Sequence, residues 1–260
     1  MITAYDHPTA KIVDAAGVDI ILIGDTMAEV ILGYEETLAV TIDVIAHHVG
    51  AVARARPRAL VVGDLPWMSY HVSTEETVVN AARLVRAGAD VVKLEGGKKR
   101  LPMIRAILDT EIPVMGHLGL TPQSVHAIGG YRVQGRDVQA ARSLVEDARA
   151  LADAGCFAIV LECVPAVVAR HITASVPVPT IGIGSGPDCD GQVLVFHDVA
   201  GLTIGEHHIP KYVRRYAGLG DEAVDAISRY VADVRSGRFP NRDESYKAPV
   251  SVSNALDASS

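Results

Sequence analysis

Six ionisable side chains lie at or near the ends of short apolar runs. Asp25 closes one run, Asp64 the next, Glu95 a third, His117 a fourth and Glu162 a fifth, while Lys93 sits inside Val91-Val92-Lys93-Leu94-Glu95. Carboxylates without thiols or a histidine cluster suit a hard cation, so Mg2+ is the first candidate and Mn2+ the second. Magnesium is commonly held by one or two carboxylates, with water and substrate oxygens completing its shell. Asp64 with Asp25 or Glu95 could supply that pair. Strand side chains alternate faces, so Lys93 and Glu95 point the same way. A lysine buried in a strand needs an anionic partner. That partner is either Glu95, in a structural pair, or a substrate carboxylate gripped by Lys93. Each acid also has a plainer reading as the N-cap of a following helix. Asp25 and Asp64 fit it poorly, because both precede loops with no immediate helix.

Positioning these groups falls to a regular series of short, β-branched apolar runs. They are expected as strands over 2–5, 19–24, 59–63, 90–94, 112–116, 157–161, 180–183 and 193–196. Nearly continuous apolar character marks parallel strands covered on both faces. Helical patterns over 7–16, 41–56, 73–87, 137–154 and 165–174 separate most of them, and an amphipathic helix follows over 221–237. Ser73-Thr74-Glu75-Glu76 opens one helix with capping-box chemistry. Ala-Gly recurs at 16–17, 87–88 and 154–155, where glycine would end a helix in the left-handed conformation before the next strand. Strands alternating with helices require a parallel sheet, and eight units favour a closed (β/α)8 TIM barrel with a C-terminal helix. The C-terminal strand ends of such a barrel form one rim, where active sites sit. Residues 1–246 are expected as one barrel domain and 247–260 as a frayed tail. Two long loops break the pattern, 26–39 and 118–136; Gly129-Gly130 and Gly135 would hinge the second over a substrate.

Composition narrows the class. The 260 residues carry a net charge of -7 and no basic run, which argues against a nucleic-acid partner. Apolar stretches are too short for a membrane span. The first residues, MITAYDHPTAK, lack a charged region followed by an apolar run, so no signal peptide is expected and the cytoplasm is the expected compartment. Cys156, Cys163 and Cys189 are odd in number and form no Cys-x-x-Cys pair, suggesting neither a disulfide framework nor structural zinc. His47-His48 and His207-His208 invite a metal reading, but adjacent residues on a helix do not face each other, so His47-His48 is a poor shared site.

Longer strings carry a resemblance. Ile-Thr-Ala-Tyr-Asp (2–6), Gly-Asp-Thr (24–26), GDLPWMSY (63–70), VKLEGG (92–97), GHLGLTPQS (116–124), GGYRVQGR (129–136), LECVP (161–165) and CDGQVLV (189–195) together resemble ketopantoate hydroxymethyltransferases, over 2 to about 240. The resemblance implies a Mg2+-dependent barrel that moves a hydroxymethyl group from 5,10-methylenetetrahydrofolate to the 2-oxo acid 3-methyl-2-oxobutanoate, giving 2-dehydropantoate for pantothenate synthesis. By motif, Asp25 and Asp64 would bind metal beside the oxo acid, Lys93 would bind substrate, and Glu95 would join the metal shell. Glu162 would be the general base, His117 would position substrate, and Thr26 would help hold the carboxylate. A large homo-oligomer, often a decamer, is also implied.

Departures from the family pattern fall at Thr26 (usually Ser), at Glu29 (usually uncharged), and at Gly63, Trp67 and Ser185. Glu29 stands near the expected entrance and could alter folate access. A rival is a Mg2+-dependent lyase or mutase of the isocitrate lyase/phosphoenolpyruvate mutase group. Many of those carry a Lys-Lys-Cys-Gly-His-type loop, and no such string occurs. A non-catalytic barrel would have no need of Lys93, Glu95 and Glu162 at one rim.

Overall fold

A computed structural model describes residues 1–205 and 209–258. The chain divides into two compact units, one of residues 1–199 and 208–214, the other of 200–207 and 215–260. The first unit holds eight parallel strands in sequential order: β1 (Ile2–Thr3), β2 (Ile20–Ile23), β3 (Leu60–Asp64), β4 (Val91–Glu95), β5 (Val114–Gly119), β6 (Ala158–Glu162), β7 (Thr180–Ile183) and β8 (Gly191–Gln192). A parallel bridge from Ile2 to Leu194, with Thr3 N–H donating to Leu194 O at 3.2 Å, joins the last strand region to the first. This contact brings the last strand region back to the first, as a barrel requires.

The repeated Ala-Gly signal performs as expected: Gly17, Gly88 and Gly155 have φ of 82°, 115° and 104°. Ser73 accepts from Glu76 N–H at 3.1 Å and Asp137 from Ala140 N–H at 2.8 Å, so both cap helix starts. Several elements differ from expectation. A short helix, Met27–Val30, follows Asp25 almost at once where a loop with no immediate helix is expected, although Thr26 and not Asp25 stands at its N-cap. The last strand is Gly191–Gln192 instead of 193–196, because Phe196 already opens the helix Phe196–Ala200 and gives its N–H to Thr3 Oγ1 at 3.0 Å. β5 continues past His117 to Gly119, so that histidine lies within the strand. The helix Leu101–Leu108 went unread; Pro102 in its first turn and the buried pair Ile104 and Ile107 were its signal.

The barrel interior shows how strand alternation delivers the site. Leu22, Val62, Val91, Met115, Val160 and Ile181 belong to one buried cluster inside the ring. Two residues further along the same faces come Asp64, Lys93, His117 and Glu162, and Glu95 follows Lys93. The apolar layers supply the core, and the layer above them is charged. Neighbour pairing places Asp64 beside Lys93, Glu95 beside His117 and Gly119 beside Glu162.

In the second unit, Leu219–Arg235 is helical, close to the expected 221–237. Residues of the 247–260 tail form a helix over Val250–Asp257 whose described side chains are exposed. Among the described residues, no helix is long and apolar enough to cross a membrane.

Candidate active site

The strand ends bring Asp64, Lys93, Glu95 and His117 together, each 3% exposed or less. Lys93 Nζ lies 2.8 Å from Asp64 Oδ1. His117 Nδ1 lies 3.3 Å from Glu95 Oε1, and its Nε2 lies 3.2 Å from Glu162 Oε2. Asp25, two residues beyond β2, is also buried, and its backbone N–H donates to Asp64 Oδ2 at 3.3 Å. Residues from five strands thus share one buried cluster. None of the four acids caps a helix: Thr26, Ser73, Gly97 and Pro165 occupy those positions instead. Thr26 is half-buried beside Asp25, and its hydroxyl makes no capping bond.

Glu162 is held by local backbone geometry. Cys163 follows it with φ of 48°, a left-handed conformation that costs a non-glycine residue about 1–2 kcal/mol. The bend is tied down by Cys163 N–H donating to Ile183 O at 2.8 Å and by Gln134 N–H donating to Cys163 O at 3.0 Å. Gly119 sits against the Glu162 carbonyl with φ of 95°; a Cβ there would strike that oxygen, so only glycine fits.

Charge decides what the cluster can hold. Asp25, Asp64, Glu95 and Glu162 face two cations, Lys93 and His117, which leaves an excess of two negative charges when all are ionised. Protonation states reflect that imbalance. Burial pushes the Asp25 carboxyl well above its ordinary range, and Asp64 and Glu95 push it further. Burial also raises Asp64, against the opposing pull of Lys93. Burial raises Glu95 as well, but His117 and Lys93 outweigh it and leave that carboxyl low. Lys93 is disfavoured by burial yet held above the ordinary lysine range by Asp64 and Glu95. Burial and Lys93 work against a charged His117, but Glu95 and Glu162 raise it to about 9.

A divalent cation fits this arrangement. Asp25 and Asp64 lie side by side in the buried cluster, where one ammonium, Lys93 Nζ at 2.8 Å from Asp64 Oδ1, is the cation held against them, and a divalent ion would balance the second carboxylate. Among the described residues, no three His, Cys, Asp or Glu side chains converge tightly enough to cage an ion alone. Two carboxylates with water and substrate oxygens, the ordinary magnesium arrangement, match that geometry better than an all-protein site. Asp25 and Asp64 are the adjacent pair, while Glu95 turns toward His117 and the N–H of Gln123.

Other candidates separate out. His48 Nδ1 contacts Tyr5 O at 2.5 Å and is thereby committed to the fold; His207 and His208 lie outside the described residues. All three cysteines are free. Sequence reasoning did not single out Gln123 and Tyr70, which are buried against Asp25 and Glu95. Both lie within strings that carried the resemblance, GHLGLTPQS and GDLPWMSY, but neutral side chains give no charge signal.

Residues 1–242 match the family model of ketopantoate hydroxymethyltransferase. A 3-methyl-2-oxobutanoate hydroxymethyltransferase from Moorella thermoacetica is 54% identical over 248 residues, 95% of this chain and 91% of that protein. Its counterpart from Ignicoccus hospitalis is 55% identical over 240 residues, 92% and 90% of the two chains. Among solved structures, a 2,3-dimethylmalate lyase of the PEP mutase/isocitrate lyase superfamily superposes with a TM-score of 0.57 at 17% identity, covering 99% of this chain and 92% of the other. A phosphonopyruvate hydrolase in complex with oxalate and Mg++ gives 0.59 at 13% identity, covering 94% and 87%. At such identities these two structures establish a shared barrel fold alone.

Proposed function

The chain belongs to the ketopantoate hydroxymethyltransferase family, and we propose that it transfers a hydroxymethyl group from 5,10-methylenetetrahydrofolate to 3-methyl-2-oxobutanoate, giving 2-dehydropantoate. The observation that carries this reading is the convergence of Asp25, Asp64, Lys93, Glu95 and His117 in one buried cluster, with Glu162 at its edge. In this proposal Asp25 and Asp64 hold Mg2+, and Glu95 supports it from the outer shell. The ion, when bound, supplies a Lewis acid that stabilises negative charge developing on the keto oxygen of the oxo acid.

The chain's own residues do the rest. Lys93, with Asp64 at 2.8 Å, presents a permanent cation to the substrate carboxylate, and Thr26 offers a hydroxyl beside Asp25. Glu162 takes the C3 proton. Charged His117 stands between Glu95 and Glu162 and holds the base in place through its Nε2, 3.2 Å away. The methylene–N10 bond opens with protonation of N10 to give the N5 iminium, water adds to its carbon, and the bond to N5 breaks to leave formaldehyde and tetrahydrofolate. The C3 carbanion equivalent adds to the formaldehyde carbon, and the new alkoxide takes back the proton held by Glu162. Tetrahydrofolate leaves. A homo-oligomer is part of the proposal; exposed Val224, Ile227 and Val234 on Leu219–Arg235 give it an apolar surface to bury.

The test is tetrahydrofolate formation from methylenetetrahydrofolate. Formation that requires both 3-methyl-2-oxobutanoate and Mg2+ is the expected result. Formation independent of the oxo acid, or none under any combination, refutes the reading.

A further inference from the structure

Gln123 belongs to no strand, yet it touches more of the acid cluster than any other neutral side chain described above. Its Nε2 donates to Asp25 Oδ2 at 3.0 Å and to Leu65 O at 3.0 Å. Its Oε1 accepts from the Tyr70 hydroxyl at 2.6 Å. Its backbone N–H donates to Glu95 Oε2 at 3.1 Å. The Tyr70 hydroxyl in turn accepts from Glu95 N–H at 3.3 Å.

These bonds leave the amide one orientation. A tyrosine hydroxyl has one proton to give. Having accepted from Glu95, Tyr70 directs that proton to the amide oxygen, and the two amide protons then face Asp25 and Leu65. Turning the amide over would set its oxygen against a carboxylate and a carbonyl, and would leave the tyrosine proton facing an NH2 group. Gln123 is 4% exposed and Tyr70 1%, so bulk water cannot readily replace a lost bond.

We propose that Gln123 is the positioning residue of the ion-holding acids. Its side chain occupies Asp25 Oδ2, so that Oδ1 is the oxygen offered to the cation, and its backbone turns Glu95 away from that cation. The proposal rests on Asp25 being an ion-holding acid. It also gives the loop after β5 a role beyond covering the site. That loop carries Gln123, whereas Asp25 heads the loop after β2, so ordering one loop against the other sets the ion site. Further out the same two loops meet twice more: Tyr131 OH donates to Glu29 Oε1 at 3.1 Å, and His126 Nε2 lies 3.1 Å from Glu36 Oε2. The innermost of the three contacts is the one on the acid.

A glutamine serving only the fold would lower the melting temperature when replaced and leave ion affinity alone. The discriminating experiment is calorimetric titration of the full-length protein with Mn2+ in the presence of 3-methyl-2-oxobutanoate, well below the melting temperature. Gln123→Met keeps the length and removes every polar atom. It is expected to weaken Mn2+ binding by about 10- to 100-fold, the usual effect of removing an outer partner of a metal ligand. Tyr70→Phe keeps the amide but releases its orientation, and is expected to weaken binding by less. Wild-type affinity in folded Gln123→Met overturns the proposal. If that variant does not fold, Tyr70→Phe decides: weaker binding supports the proposal and wild-type affinity overturns it. A folded wild-type protein that binds no Mn2+ removes the ion reading itself, an outcome distinct from equal affinities in wild type and variant.

Discussion

Replacing Lys93 with methionine separates a structural cation from its acids in a way the geometry makes quantitative. Lys93 and Asp64 are 4% and 1% exposed at the side chain and 2.8 Å apart, so neither can fall back on water when the other goes. Removing one partner of a buried pair costs about 3–5 kcal/mol, because the remaining charge is left uncompensated. For a chain of this size each kcal/mol lowers the melting temperature by about 2–4 °C, so Lys93→Met should melt roughly 6–20 °C below wild type at neutral pH. The deficit has a pH signature. The Asp64 carboxyl is already raised by burial, and loss of Lys93 raises it further. A raised carboxyl favours the folded state below its unfolded pKa and disfavours it as pH climbs through the folded one, so the deficit should shrink on acidification. Adding Asp64→Asn removes the orphaned charge and should restore more than half of the loss. Differential scanning fluorimetry of the single and double variants, without divalent ions, makes the comparison. A single variant melting with wild type, or a double variant no better than the single, would refute the buried-pair argument.

Three other perturbations address separate parts of the site. His117, raised to about 9 from an ordinary 6.5, contributes stability that is complete below pH 6.5 and is lost as pH rises through about 9. Thermal melts of His117→Asn should therefore lack part of the alkaline decline seen in wild type, and parallel profiles would show that His117 is not charged. Glu29→Gly frees Tyr131 from its 3.1 Å bond across the mouth. A net hydrogen bond of about 0.5–1.5 kcal/mol corresponds to roughly a 2- to 10-fold rise in KM for the folate, with no effect on the oxo acid in initial-rate kinetics. Glu162→Gln should lower kcat by about 10²–10⁴-fold while calorimetry finds oxo-acid binding little changed.

The charged layer was legible because strand alternation is strict. Once Val91–Glu95 is read as a strand, Lys93 and Glu95 must share a face, and the neighbouring runs supply Asp64, His117 and Glu162 at matching depth. Helix ends were legible where glycine or a capping side chain fixes them, as at Gly88 and Ser73. Legibility ended where a residue's meaning depends on what approaches it in space. β8 is two residues long because Thr3, almost two hundred positions away, takes the N–H of Phe196. The helix Leu101–Leu108 is short and begins with a 3-10 turn at Lys98–Arg100, which blurs its period. Gln123 and Tyr70 carry no charge, so only coordinates reveal that one amide bonds to Asp25 and to the Tyr70 hydroxyl that meets Glu95. The charge excess likewise emerges only when six side chains from distant segments are counted in one volume.

Exchange of the C3 proton of 3-methyl-2-oxobutanoate in D2O, followed by proton NMR without folate, isolates the step on which the account turns. Wild-type protein should exchange that proton only with Mg2+ present, and Glu162→Gln should lose most of the exchange while still binding the oxo acid. Exchange in Glu162→Gln at the wild-type rate, or wild-type exchange indifferent to the ion, would contradict it.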